Sequence, residues 1–276
     1  MEITAVIVAR AGSVRIKNKS MLKLGSDTLI SNKIKQLQQC KNIDRIVFGS
    51  DSNTMIEHAK KYGAETVLRP EYYCNETLAS ANDMIRNMCD LITTDIVIWT
   101  HCTNPFIKPE TYDKAIDKFL SFNGNDFDSL LSVIEFQEHL WDENKHPLNY
   151  NPYSGRHIPA KELPKYYMQD GGIFIQPYLQ MKKNSYFFGN KPYLFVIPND
   201  EFLDINNERE YLIARSLYDQ TRPDQTRPDQ TRPDQTRPDL IFYTAIVYIY
   251  IIIQKLKNYN LCCNIIMQHR FFCIKL

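Results

Sequence analysis

From residue 3 to residue 134 the spacing of apolar positions switches repeatedly between two periods. Ile3–Val8 is a run of β-branched and small apolar residues, which predicts a buried strand. Leu29, Ile30, Ile34 and Leu37 then fall at helical spacing and predict a helix over Leu29–Cys40. The alternation continues with strand Asp44–Ser50, helix Asn53–Tyr62, strand Glu65–Leu68, helix Ala81–Ile92, strand Asp95–Thr100, helix Tyr112–Phe122 and strand Ser129–Ile134. Such a succession predicts an α/β fold: a mainly parallel twisted sheet flanked by helices, Rossmann-like in organisation. In open sheets of this kind ligands bind beyond the carboxyl ends of the strands. The loops after Val8, Ser50 and Thr100 are therefore where chemistry is expected.

The pattern stops near residue 218, so residues 1–218 read as one globular domain. Residues 219–239 are a pentapeptide repeat, Asp-Gln-Thr-Arg-Pro, ending in Asp239. Proline at every fifth position blocks helix and central strand, and each unit has no apolar residue to bury. A semi-extended linker is expected, with a repeated binding motif as the alternative. Residues 240–276 form an apolar tail. Its run Leu240–Ile253 is 14 residues long without charge, glycine or proline, short of the about 20 that a spanning helix needs. Packing on the body or a partner, poor order, or a product of read-through past an ancestral stop are the readings for this tail. Membrane contact through 240–276 is a lesser alternative, resting on Lys255 and Lys257 behind the apolar run.

Composition excludes some classes. The chain has 276 residues, 43% of them hydrophobic, enough for a proper core. Its formal net charge is +1 and no basic stripe occurs, so no nucleic-acid partner is expected. Seven cysteines without Cys-x-x-Cys spacing fit a reduced, cytoplasmic protein. The first residues carry no basic segment or cleavage site, so no signal peptide is expected.

Charge does gather in one place. The segment after the first strand, Arg10 to Lys19, holds Arg10, Arg15, Lys17 and Lys19 with Gly12 and Ser13, and Ser20 follows. Glycine lets backbone approach a phosphate, loop N–H groups form an anion nest, and Arg and Lys add charge-assisted bonds. Neither the Walker A nor the dinucleotide glycine pattern is present. On charge alone, a triphosphate site and a solvated basic turn are equally good readings.

This segment resembles the N-terminal signature of the acylneuraminate cytidylyltransferase (CMP-sialic acid synthetase) family, roughly Ala-Arg-x-Gly-Ser-Lys-x-Ile/Leu-x-x-Lys-Asn. Ala9, Arg10, Gly12, Ser13, Ile16 and Lys19 match; Val14 and Ser20 depart. Further matches follow in order: Ser50-Asp51-Ser52, Leu68-Arg69-Pro70 with Ser80 eleven residues past Arg69, Thr103-Asn104-Pro105, Leu163-Pro164 followed by Asp170-Gly171-Gly172-Ile173-Phe174, Phe187-Phe188, and Leu203-Asp204-Ile205-Asn206. The resemblance covers residues 3 to about 217.

The resemblance implies a nucleotide-sugar synthetase domain with a dimerisation arm, hence a homodimer. It implies attack of a sugar hydroxyl on the α-phosphate of CTP, with pyrophosphate leaving and a CMP-sugar formed for surface glycans. Ala9, Arg10, Gly12, Ser13, Arg15, Lys19 and Ser20 would hold the triphosphate, with Arg10 and Lys19 catalytic; Arg69 and Ser80 would face the cytosine. Mg²⁺ would sit on Asp204 and Asn206, hard oxygen ligands. For Asp204 the other reading is a helix N-cap, since a helix starts near Asn206. Asn206 stands where the family has a second Asp, which lowers the negative charge by one.

The sugar end departs most. His101, Thr103, Asn104, Asp170, Phe174, Phe187 and Phe188 are the candidate sugar contacts. His101 replaces a Gln and is either a general base or a hydrogen-bonded strand-end residue. The three phenylalanines are either an apolar pocket wall or ordinary core. Ala160 replaces an arginine near the substrate carboxylate, with Lys161 next to it, and Asp170 replaces an Asn. An aspartate there would repel a carboxylate, so a related nine-carbon acid or another modified sugar is expected rather than sialic acid. The alternatives are a nucleotidyltransferase of this fold with another nucleotide or acceptor, and a catalytically weak dimeric scaffold.

Overall fold

The computed structural model describes residues 1–13, 15–122 and 126–221. Val14, the repeat beyond Thr221 and the 240–276 tail, with every reading made for them, lie outside the described residues.

The elements run β1 (Ile3–Val8), β2 (Lys23–Leu24), β3 (Asp27–Thr28), α1 (Leu29–Gln38), β4 (Arg45–Ser50), α2 (Asn53–Lys61), β5 (Glu65–Leu68), α3 (Ala81–Asp90), β6 (Ile96–Thr100), α4 (Pro109–Leu120), β7 (Ser129–Phe136), β8 (Tyr166–Pro177), α5 (Tyr178–Asn184), β9 (Pro192–Val196) and α6 (Glu208–Thr221). The expected strands and helices up to β7 are all present. The helix expected from Tyr112 starts three residues earlier, because Pro109 occupies the first helical turn, where its missing N–H is no loss. α6 runs three residues into the first repeat copy, as far as Thr221.

One seven-stranded sheet has the order β5-β4-β1-β6-β8-β7-β9. β5, β4, β1 and β6 are parallel, as is the β7–β9 pair. β8 is the exception: it lies between β6 and β7, antiparallel to both. All five residues of β6 are buried, as are the first five of β1. Burial on both strand faces requires helices on both sides. α1 contacts α2 and α4, while α3 packs with α5. Val6, Val47, Val97 and Trp99 share one parity and pack with Ile85 and Met88 of α3 and Met181 of α5.

Local sequence fixes several helix starts. Thr28 and Ser31 form a reciprocal capping box for α1, and Ser80 and Asp83 form one for α3. Ser52 caps α2.

Residues 137–165, between β7 and β8, form a separate compact unit. Within it Trp141 bridges Pro147, and the His139 ring lies 4.5 Å from Tyr150 and 5.4 Å from His157. Trp141, Leu148 and Tyr153 are exposed. Among the described residues no helix is long and apolar enough to cross a membrane.

Candidate active site

The parallel strands β1, β4 and β6 all end on one side of the sheet, and a cavity of about 320 Å³ opens there. Ala9, Arg10, Ser13, Lys19 and Ser20 line it from the loop after β1. Arg69, just after β5, and Ser80, at the start of α3, also line it, as do His101 and Thr103 from the loop after β6. Gly12 and Arg15 are exposed and do not line it.

The loop after β1 is tied down by its neighbours. Ala9 N–H donates to the Gly49 carbonyl at 3.0 Å, and Ala11 N–H donates to Asp51 Oδ1 at 2.9 Å. Asp51, just after β4, thus organises the loop, a role that the resemblance of Ser50-Asp51-Ser52 to a family motif did not specify. A Cβ on Gly12 would meet nothing within 4 Å. No contact among the described residues therefore requires glycine there, and the space beside it is open for a ligand's approach. Arg10 donates to Glu76 Oε2 at 2.5 Å and to the Cys74 carbonyl at 3.5 Å. Glu76 was invisible to motif reading because it lies in an irregular segment 66 residues away.

Lys19 reaches across the fold. Its Nζ donates to the Ile205 carbonyl at 3.0 Å. Burial pushes its ammonium below the ordinary lysine value, while the carboxylate of Asp204 pulls it back up.

Arg69 is only 3% exposed. Its guanidinium donates to Asn87 Oδ1 at 3.0 Å, the Met84 carbonyl at 3.2 Å and the Tyr73 carbonyl at 3.4 Å. Burial lowers its pKa, yet arginine stays charged near neutral pH. Gly49 makes this placement feasible: a Cβ there would fall 2.8 Å from Arg69 Cδ. Ser80 has its hydroxyl engaged in the α3 capping box, donating to Asp83 Oδ2 at 2.7 Å.

His101 sits at the end of β6 with both ring nitrogens occupied. Nδ1 bonds the Gly171 carbonyl at 2.7 Å, so it carries the proton. Nε2 accepts from the Trp99 indole at 3.3 Å. Burial pushes the imidazole below its ordinary pKa, which keeps it neutral near pH 7. To act as a base it must first give up the Trp99 bond, so the geometry favours the strand-end reading. Phe174 stacks on Phe187 at 4.9 Å and on Phe188 at 6.5 Å, and His101 meets Phe174 and Phe187 edge to face. None of the three phenylalanines lines the cavity. Phe174 is core, while Phe187 and Phe188 are half-buried. His101→Gln is expected to lower pyrophosphate release by less than about threefold, since loss of a general base costs on the order of 100-fold or more. A loss of that larger size would restore the base reading.

Asn104 and Asp170 lie beneath the site rather than in it; each is 1% exposed. Asn104 Nδ2 donates to the Asp170 carbonyl at 3.1 Å, and Ser132 donates to the Asp170 carboxylate. Burial raises the Asp170 pKa. A sheltered carboxyl that is held toward its neutral form is a poor source of repulsion for a sugar acid. The repulsion expected of Asp170 therefore has no footing at the cavity surface.

The 203–207 segment alternates: Leu203 and Ile205 are fully buried, while Asp204 and Asn206 are half-exposed on the other side. Ile205 N–H donates to the Thr103 carbonyl at 2.9 Å, which joins this segment to the site loop. Asn206 Nδ2 donates to Asp204 Oδ2 at 2.7 Å. The helix cap read for Asp204 belongs to Asn207. Asn207 Oδ1 accepts from Glu210 N–H at 3.0 Å, and Glu210 Oε2 accepts from Asn207 N–H at 3.2 Å. That reciprocal Asn-x-x-Glu box frees the Asp204 carboxylate from a capping role.

Comparison with known proteins agrees with this geometry. The sequence profile described as cytidylyltransferase matches residues 4–221. A pseudaminic acid cytidylyltransferase of Campylobacter jejuni is 24% identical over 229 residues, 79% of this chain and 97% of that protein. A CMP-N,N'-diacetyllegionaminic acid synthase of Legionella pneumophila is 28% identical over 235 residues, again 79% of this chain and 97% of its own. Among solved structures, a CMP:2-keto-3-deoxy-manno-octonic acid synthetase complexed with CTP shares the fold at a TM-score of 0.58 and 14% identity, covering 80% of this chain and 100% of that one. With a basic loop at the strand ends, a buried arginine in the lining of the same cavity and a family match spanning residues 4–221, the chain belongs to the cytidylyltransferase family.

Proposed function

We propose that this cytidylyltransferase transfers CMP from CTP to a nonulosonic, sialic-acid-like sugar acid in surface glycan biosynthesis. The observation that carries the reading is the cavity itself, whose lining gathers Arg10, Lys19, Arg69 and Ser80. The names of the related proteins point to the acceptor class.

In this reading a sugar hydroxyl attacks the α-phosphorus of CTP. One P–O bond forms, the bond to pyrophosphate breaks, and the hydroxyl proton leaves to solvent. Arg10 and Lys19 neutralise the departing pyrophosphate, and Ser13 and loop N–H groups orient it. Arg10 exchanges Glu76 for phosphate as the nucleotide enters. Arg69 and Ser80 flank the base.

Mg²⁺ fits the Asp204–Asn206 pair. A carboxylate and an amide carbonyl two residues apart on one side of an extended segment are hard oxygen donors, and Mg²⁺ commonly takes one or two such ligands with phosphates and waters. The ion would supply charge neutralisation and orientation of the phosphate oxygens. Asn206→Asp is expected to lower the Mg²⁺ concentration for half-maximal activity, on the order of tenfold, because ligand charge tunes affinity; a rise would remove Asn206 from the site.

Our reading includes a cytoplasmic location and a homodimer. Four buried free cysteines among the described residues suit a reducing compartment. Exposed Trp141, Leu148 and Tyr153 support reading residues 137–165 as the dimerisation arm.

Pyrophosphate release with four nucleoside triphosphates and a panel of nonulosonic acids tests the function. Release with CTP and one such acid is expected. Equal release with another triphosphate, or none with CTP and any acid, overturns it.

A further inference from the structure

Lys33 occupies a core position on α1, four residues from both Leu29 and Leu37, and is fully buried. Its Nζ donates to the Asn104 carbonyl at 2.8 Å and lies 2.7 Å from the Tyr112 hydroxyl. The Tyr112 hydroxyl is in turn 2.7 Å from Thr100 Oγ1. One hydrogen-bonded chain thus joins α1, α4, the last residue of β6 and the loop that β6 feeds. Two α1 neighbours act alongside: Asn32 Nδ2 and Gln36 Nε2 donate to the Pro105 carbonyl at 3.0 and 2.6 Å. The loop of residues 101–105, which carries His101 and Thr103 to the cavity, rests on these three side chains.

Among the described residues Lys33 has acceptors for two N–H groups and no ion pair. Of the nearby carboxylates, Glu201 is engaged by Thr111 and the Lys108 N–H, while Asp170 accepts from Ser132 through Oδ1 and its buried Oδ2 has no hydrogen-bond partner among the described residues. An ammonium brings three N–H groups to the Asn104 and Tyr112 oxygens, whereas an amine brings two. A buried donor left unmatched is costly, and an unpaired buried charge more so.

We propose that Lys33 is a positioning residue: as an uncharged amine it holds the 101–105 loop at the cavity wall, and taking up a proton loosens that hold. This rests on the reading of the loop as part of the transferase site. The groups facing Lys33 are Cys40 at the end of α1, Tyr112 of α4, Cys102 and His101 of the loop, Asp170 of β8 and Glu201 of the 199–201 turn. Burial pushes its ammonium down to about 7, with the two thiols and two carboxylates opposing weakly. Its protonation therefore changes across the range in which the enzyme would work.

The test uses the full chain. Wild-type turnover in pyrophosphate release is expected to fall about tenfold from pH 8 to pH 6, the change in amine fraction for a midpoint near 7. Lys33→Met is expected to lack that step. In wild-type protein labelled at the lysine side-chain carbons, the signal missing from Lys33→Met should titrate with a midpoint near 7. If Lys33→Met does not fold, Tyr112→Phe identifies the signal by perturbing it. A lysine midpoint near the ordinary value of about 10.4 overturns the proposal, and so does an unchanged pH step in Lys33→Met. Absence of pyrophosphate release at every pH would instead overturn the transferase reading, and the titration would still decide the state of the amine.

Discussion

Lys19→Met should lower kcat/KM for CTP by about 100- to 1,000-fold, the usual loss when a fixed donor to developing charge is removed. Lys19 is half-buried and held by the Ile205 carbonyl, so its ammonium is oriented before nucleotide arrives. Methionine keeps the stem and removes the charge, so far-ultraviolet circular dichroism should be unchanged. The pH dependence has a defined sign. Burial lowers the Lys19 pKa, so its charge is present at low pH and lost as pH rises through a value below 10.5. Activity should therefore decline on the alkaline side earlier than an ordinary lysine would dictate, and Lys19→Arg should postpone the decline. Retention of a third of wild-type kcat/KM in Lys19→Met would show that the pyrophosphate is held by other groups.

Asp204→Ala should cost on the order of 100-fold or more in turnover, since metal charge stabilisation of a phosphoryl transfer is worth several kcal/mol. The structure sharpens this expectation because Asn207 and Glu210 cap α6 without help from Asp204. Loss of the carboxylate therefore leaves the helix start intact. A stability loss of about 1 kcal/mol, the typical worth of a cap, would point to a structural role. Full activity in Asp204→Ala at saturating Mg²⁺, measured as pyrophosphate release, would move the metal site elsewhere. Asp204 also raises the Lys19 pKa, so its removal should shift the alkaline decline to lower pH.

The first half of the fold was legible because its strands are short, β-branched and followed by helices with a clean apolar stripe. Ile3–Val8 agrees at both ends, and the later boundaries differ by a few residues at most. The second half resisted for physical reasons. β8 carries Gly171 and Gly172 in its middle and begins with polar alternation, so neither the alternating nor the continuous apolar pattern holds over its length. α5 has seven residues, too few for periodicity to register, and β9 follows Pro192 at the sheet edge. At the site, the motif residues on β1 and β6 loops converge as their order suggested. Asp170 and Asn104 do not face the cavity, because a motif fixes the order of residues along a strand and not the side to which each one points. Glu76, Lys33 and the loop-holding role of Asp51 went unread because their partners lie far away in sequence. The capping box of α6 was available as Asn207-x-x-Glu210, but Asp204 stood closer to the metal motif and drew the cap to itself.

The position of β8 also sets a schedule for synthesis on the ribosome. β6 emerges with five inward-packing residues, Ile96 to Thr100, and pairs on one side with β1, which is already made. The β8 residues that pair with it, Phe174 to Pro177, are complete only 77 residues after Thr100. At roughly 5–20 residues per second, that leaves β6 as a bare, apolar sheet edge for about 4–15 s. Such an edge is a template for pairing with other chains. The nascent protein is therefore most exposed to aggregation after β6 is complete and before β8 arrives, a window that slow codons between residues 101 and 165 would lengthen.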